Sequence, residues 1–199
     1  MPPDKVVGKP PIYALNSRLE LMYFPTGDEF KSWNADDRYG NYTRITQVCF
    51  NSIPAPRAFP AGVSFRPGTF LVKPQGRTAL YAVLPNYTLA KITPGVAAAL
   101  YGPNYRVMAV AETVWGNYVN RAPDITAATP HAGMLVQSGG KTWYVDVNNT
   151  LREVTSGGLT SNRFRRAWVR EVSSETMSGW ATGAVIDQEL NEISRRISL

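Results

Sequence analysis

The chain has 199 residues and a formal net charge of +6 at pH 7, with 44% hydrophobic residues, 18% charged residues, one Cys and one His. That length fits one domain or a short array of small repeats. The 16 Gly and 15 Pro cut it into short elements and exclude an all-helical fold. A lone Cys cannot close an internal disulfide, and one Cys with one His cannot supply the ligands of a structural zinc site.

No run of about 18 apolar residues occurs, so no membrane span is expected. The start, Met1-Pro2-Pro3-Asp4-Lys5, lacks the charged-then-apolar profile of a secretory leader. The expectation is a soluble polypeptide, either intracellular or already stripped of its leader. Positive charge concentrates in residues 66–130, where six Lys and Arg face two acids.

In chain order the sequence reads as three copies of one unit, at residues 1–65, 66–130 and 131–186. Each carries an apolar residue followed by Tyr: Ile12-Tyr13, Leu80-Tyr81 and Trp143-Tyr144. A Leu follows seven or eight residues later (Leu21, Leu89, Leu151), then Phe24, Ile92 or Val154, then Gly27, Gly95 or Gly157. The first two of these runs predict a strand pair. Asn16-Ser17, Pro85-Asn86 and Asn148-Asn149 lie between them, residue types that preset tight turns, so each pair is expected to be a hairpin. An upstream lead strand is evident at Gly68-Thr69-Phe70-Leu71-Val72-Lys73 and Gly133-Met134-Leu135-Val136-Gln137. The first copy offers only Val6-Val7-Gly8-Lys9.

Downstream, Thr93-Pro94-Gly95 followed by an alanine-rich run signals a capped helix, and residues 26–33 a comparable one with Asp28 and Glu29 in its first turn. Residues 159–164 are the poorer third example. A further strand is expected at residues 43–48, 106–111 and 168–172, followed by Pro- or Gly-rich exits. A unit of about 60 residues buries only about 60% of its surface alone, so the three are expected to pack as one body. In residues 187–199, Leu190, Ile193 and Ile197 fall on one helical face, with acids first and arginines last. This predicts a C-terminal amphipathic helix that docks on the repeats or mediates oligomerisation. The fold class expected is thus mainly β with short helices, as three strand-hairpin-helix-strand repeats and a C-terminal helix.

The run Arg66-Pro67-Gly68-Thr69-Phe70-Leu71-Val72-Lys73, with Leu80-Tyr81-Ala82-Val83, Ile92-Thr93-Pro94 and Asn117-Tyr118, resembles tandem repeats of secreted and S-layer-like surface proteins of bacteria. Residues 22–33 resemble the preceding repeat. The likeness spans about residues 6–186. It implies a non-catalytic extracellular module, often carried in tandem, with no catalytic residues to transfer.

Constellations for chemistry are sparse. His131 sits in a linker-like stretch and is expected to be exposed; no G-x-S-x-G elbow accompanies it. Cys49, in Gln47-Val48-Cys49-Phe50, reads as a small core residue at a strand end. Asp36, Asp37, Glu112, Asp124 and Glu171 are scattered, with nothing to hold two of them across a cleft. No catalytic residue is assigned, and the protein is expected not to be an enzyme. Calcium is the one cofactor considered, at loop oxygens of Asp36, Asp37 and Asp146, although the EF-hand spacing is absent.

The segment Arg163-Phe164-Arg165-Arg166-Ala167-Trp168-Val169-Arg170 interleaves arginines with aromatics. Arg163, Arg165, Arg166, Trp168 and Arg170 form a candidate site for an anionic glycan or, as a weaker option, nucleic acid. If Trp168 opens a strand, Arg166 and Arg170 share its face and the stretch is instead an ordinary sheet with one solvated basic side. The leading functional expectation is a surface or extracellular structural protein that self-associates or binds other surface proteins. A binding module for anionic polymer and a phage or filament subunit are the alternatives.

Overall fold

The computed structural model describes residues 11–16, 18–35, 42–54 and 62–190, and the backbone of a strand at Arg195–Ser198. In chain order the first elements are β1 (Ile12–Leu15), β2 (Leu21–Tyr23), α1 (Gly27–Ser32), β3 (Thr43–Arg44) and α2 (Gln47–Ser52). There follow β4 (Leu71–Pro74), β5 (Leu80–Leu84), β6 (Thr88–Ile92), α3 (Pro94–Tyr101), β7 (Val107–Val110), α4 (Glu112–Trp115) and β8 (Asn120–Arg121). The last group is β9 (Leu135–Ser138), β10 (Lys141–Asp146), β11 (Thr150–Glu153), α5 (Ser156–Ser161), β12 (Val169–Glu171) and β13 (Arg195–Ser198). The protein is mainly β, with few and short helices.

The strands form three sheets, ordered β2-β1-β13-β3, β7-β4-β5-β6-β8 and β11-β10-β9-β12. The second and third follow one path: a lead strand (β4, β9) pairs antiparallel with the first hairpin strand and parallel with the exit strand (β7, β12). In the first sheet the lead position, antiparallel to β1 and parallel to β3, is held by β13. The expected C-terminal helix is therefore corrected. Asp187–Leu190 is not helical, and Arg195–Ser198 is a strand in register with Ile12–Leu15. The spacing of Leu190 and Ile197 fits a helix, yet a segment this short has little helical stability alone, and two open sheet edges offer it backbone partners on both sides.

The hairpins form because their tips hold residues that accept left-handed backbone. Asn86 and Tyr87 have φ of 58° and 56°, and Asn148 and Asn149 56° and 54°. In the first hairpin Leu19 takes this role at φ 61°, inside a loop organised by Asn16, whose Oδ1 accepts from the N–H of Arg18 and of Glu20. A threonine stands at the start of the helix that follows each hairpin: Thr26, Thr93 and Thr155 accept from the N–H of Asp28, Val96 and Gly158.

The cross-strand pairs Tyr13↔Tyr23, Tyr81↔Lys91 and Trp143↔Glu153 occupy the same place in the three hairpins. Trp143, rather than Tyr144, is thus the counterpart of Tyr13 and Tyr81. Tyr144 is the counterpart of the buried Ala14 and Ala82. A slip of one residue exchanges the two faces of a strand, so alignment on the letter Tyr puts the third hairpin one position out.

Two core layers run through both the second and third sheets. One contains Val72, Val83 and Leu89 with Leu135, Tyr144 and Trp168; the other Leu71, Ala82 and Leu100 with Met134, Val136 and Val145. Consecutive residues such as Leu71 and Val72 are fully buried, as expected for strands covered on both faces. A smaller cluster of Ala14, Met22, Phe24, Phe30, Trp33 and Val63 packs against one side of β1 and β2, and Leu15 and Leu21 form another with Ile45, Phe50 and Ile53.

The strand expected at residues 43–48 stops at Arg44, because Thr46 caps α2 by accepting from the Cys49 N–H. Cys49 is accordingly an exposed helical residue and not a core one. The expected third helix begins earlier, at Ser156.

Candidate functional site

Several buried or half-buried charged and polar side chains sit where the chain passes from one sheet to the next. Arg66 lies two residues before Gly68, and His131 two before Gly133. Both glycines adopt left-handed backbone, φ +72° and +96°. Their chains touch: a Cβ on Gly68 would lie 2.3 Å from the Gly133 carbonyl carbon, and one on Gly133 2.4 Å from Pro67 Cβ. Only glycine allows this approach.

From that crossing Arg66 reaches outward, buried. Its Nη1 donates to Asn162 O at 2.6 Å, and its guanidinium lies 4.0 Å from the Phe164 ring centre and 5.1 Å from that of Trp33. Its backbone N–H donates to Ser32 Oγ at 2.9 Å. One residue thereby ties the end of α1 to the end of α5. Arg165 makes the return connection, donating from Nε to Asn34 O at 2.9 Å and from Nη2 to Lys31 O at 3.0 Å. A cation at the exposed carbonyls of a helix end is electrostatically favoured.

His131 performs the same joining between the second and third sheets. Its Nε2 lies 2.6 Å from Tyr101 Oη at the end of α3, and its Nδ1 3.0 Å from Ala132 O. The pattern fits a neutral ring that donates from Nδ1 and accepts the Tyr101 hydroxyl at Nε2. Burial pushes the imidazole down to about 4 and the Tyr101 phenol up. The expected exposed linker histidine is thus half-buried and hydrogen-bonded. At the third junction Asn162 donates from Nδ2 to Gln188 O and accepts the Leu190 N–H at Oδ1, both at 2.7 Å.

Glu29 is a fourth buried ionisable group. The Thr26 hydroxyl donates to its Oε2 while accepting the Asp28 N–H, a reciprocal capping arrangement. Burial raises the carboxyl, and the Thr26 bond opposes this. Nearby, Tyr118 Oη accepts the Phe65 N–H at 3.2 Å, and burial raises that phenol.

The arginine-aromatic segment is dispersed. Arg166–Trp168 forms a 3-10 turn before β12, so Trp168 does not open a strand; it is buried edge-on to Phe70, ring centres 6.2 Å apart. The turn re-phases the side chains, and the large ring gains more from the core than from a solvated face. Arg163 pairs with Glu189 at 2.6 Å, Arg165 serves the junction, Arg170 is half-buried and Arg166 is exposed. The five do not share one open surface.

Among the calcium candidates, Asp146 caps a 3-10 turn through the Val147 N–H and lies 3.4 Å from Arg152. Asp36 and Asp37 lie outside the described residues, as does Ile193. Among the described residues no group of three or more His, Cys, Asp or Glu is placed to hold a metal ion, and no helix is long and apolar enough to cross a membrane. Leu190 packs against the core, and Ile197 sits in β13 opposite Tyr13 and Thr43.

Sequence reading missed the joining roles of Arg66, Asn162, Ser32 and Tyr101. The available signal was a hydrogen-bonding residue two positions before the glycine of each lead strand, Arg66 and His131. No family model matches the chain, and no curated protein or solved structure is found to be similar to it.

Proposed function

We propose that the chain is a non-catalytic structural or interaction protein, built of three tandem units, that assembles or adheres through its sheets. The observation that carries this reading is the use made of the polar groups at the junctions. Arg66, Arg165 and His131 each direct hydrogen bonds to another unit's backbone or helix end, and Asn162 holds the segment that leads out of the third unit. Groups spent on holding units together are poorly disposed to turn over a substrate. The recurrence of lead strand, hairpin, threonine-capped helix and parallel exit strand supports a tandem origin. The resemblance expected from the sequence, to bacterial surface repeats over residues 6–186, is the ground for proposing display outside the cell, among other surface proteins.

The test is the mass of the full chain in solution, by light scattering after size exclusion over a wide concentration range, with microscopy of the heaviest fraction. Growth beyond 22.0 kDa into ordered assemblies is expected. A monomer at every concentration overturns the reading. A filament or phage subunit would share this behaviour.

A second reading, binding of an anionic glycan or nucleic acid, retains one specific support: Arg166 is exposed, with Arg170 half-buried close by in sequence. Charge reversal at both should then abolish retention on an immobilised polyanion. Unchanged retention, or none by the parent chain, removes it.

A further inference from the structure

We infer that β13 is an exchangeable strand: the slot between β1 and β3 accepts the same segment from a second copy of this chain, and copies are linked in this way. The inference rests on the assembly reading above and names its contact.

Three features carry it. First, β13 is an interior strand of its sheet, paired from Ile12↔Ser198 to Leu15↔Arg195 on one side and at Ile197↔Thr43 and Ser198↔Arg44 on the other. The corresponding β4 and β9 are joined to their hairpins by short local connections, the latter by Gly139 and Gly140 alone. No such connection ties β13 to β1, which lies at the opposite end of the sequence. A second copy's β13 offers the same backbone in the same register, and exchange of an identical element costs little.

Second, the wall on the β3 side is lightly held. Thr43 and Arg44 are exposed, and α2 has no buried residue. Opening this side gives up the contacts of Ile45, Phe50 and Ile53 with the small cluster around Leu15 and Leu21, but none in the two larger core layers. Third, the point of departure is fixed: Asn162 binds both Gln188 O and the Leu190 N–H at the third sheet's side. Exchange beyond Leu190 therefore leaves the second and third sheets undisturbed. An empty slot would leave two rows of backbone donors and acceptors unpaired, so it is filled either from within or from a neighbour. The balance depends on chain concentration against the effective concentration of the chain's own strand.

The experiment uses full-length chains carrying Cys49→Ser. Chains with Ile12→Cys and chains with Ser198→Cys, distinguished by mass, are mixed and oxidised. Antiparallel partners stand roughly 4.5–5.5 Å apart at Cα, within the span of about 4.4–6.8 Å that a disulfide bridges. A covalent heterodimer is expected, at least about tenfold above the control Ser161→Cys with Ser198→Cys, in which the first cysteine lies in α5 and outside the sheet, and rising with concentration. A yield equal to the control overturns the proposal. The double variant Ile12→Cys/Ser198→Cys, oxidised while dilute, closes the strand within its own chain and should no longer assemble. Assembly equal to the parent's refutes strand exchange while leaving association through other faces standing. A parent chain that stays monomeric throughout refutes both.

Discussion

The half-buried His131 and the buried Glu29 have opposite consequences for pH. Burial lowers the imidazole, so the unfolded chain binds a proton at a higher pH than the folded one. The stability contributed by the neutral ring is complete above about 6.5 and is lost as pH falls towards about 4. Because the chain has one histidine, His131→Gln isolates the effect. Its unfolding free energy should fall less steeply across this window than the parent's, by on the order of 3 kcal/mol in total, measured by denaturant titration at each pH. Glu29 runs the other way. Its carboxyl is raised, so its contribution is present at acid pH and is lost as pH rises through the folded value. Glu29→Gln keeps the capping geometry and should be more stable than the parent at neutral pH, converging on it in acid. A Tm series in matched buffers reads both. Neither role was legible in sequence: His131 lies in a stretch rich in Ala, Thr and Pro that looks like an open linker, and nothing local to it announces the Tyr101 hydroxyl thirty residues earlier.

Elements were more legible than side-chain roles, for reasons local to each. The hairpins declare themselves through turn residues and alternation, and α3 through the capping threonine and proline at its start. Thr155 was not read as such a signal, and the third helix was expected later, at residues 159–164; yet Thr155 caps α5, which contains Gly157 and Gly158 and has little intrinsic helical preference. Thr155→Ala should cost about 1 kcal/mol or somewhat more, seen as a lower denaturation midpoint with an unchanged slope; an effect near zero would mean that packing against Ile186 holds the helix. What failed was register and brevity. Tyr144 and Trp143 are adjacent aromatics, and composition does not decide which faces inward. The helix α2 was hidden inside an apparent strand because Thr46 suits either state. Trp168 shows the same limit, where burial against Phe70 overrides an alternation that looked sheet-like.

At the scale of the whole molecule, the degenerate entry to the first hairpin, Val6-Val7-Gly8-Lys9, was visible in sequence and lies outside the described residues, but the place of β13 beside β1 was not foreseen. Pairing between Ile12 and Ser198 joins the two ends of the described chain, and no local period encodes such a contact. Sequence order and spatial order disagree at this one place, which a circular permutant can test. Joining the original ends and opening the chain just before Asp187 would put the lead strand directly ahead of β1, as in the other two units. That permutant should form the same sheets with comparable stability and refold faster, because its most distant strand pairing becomes local. Stopped-flow refolding checks it; slower folding, or loss of the sheet signal, would show that the order of the natural chain matters to the fold.

The closing position of β13 also sets a timetable. Synthesis proceeds at roughly 5–20 residues per second, so β1 emerges about 10–40 s before its interior neighbour is made. Throughout that interval the earliest hairpin has an unfilled edge, while the second and third sheets can complete themselves as they appear. The first sheet begun is the last one finished.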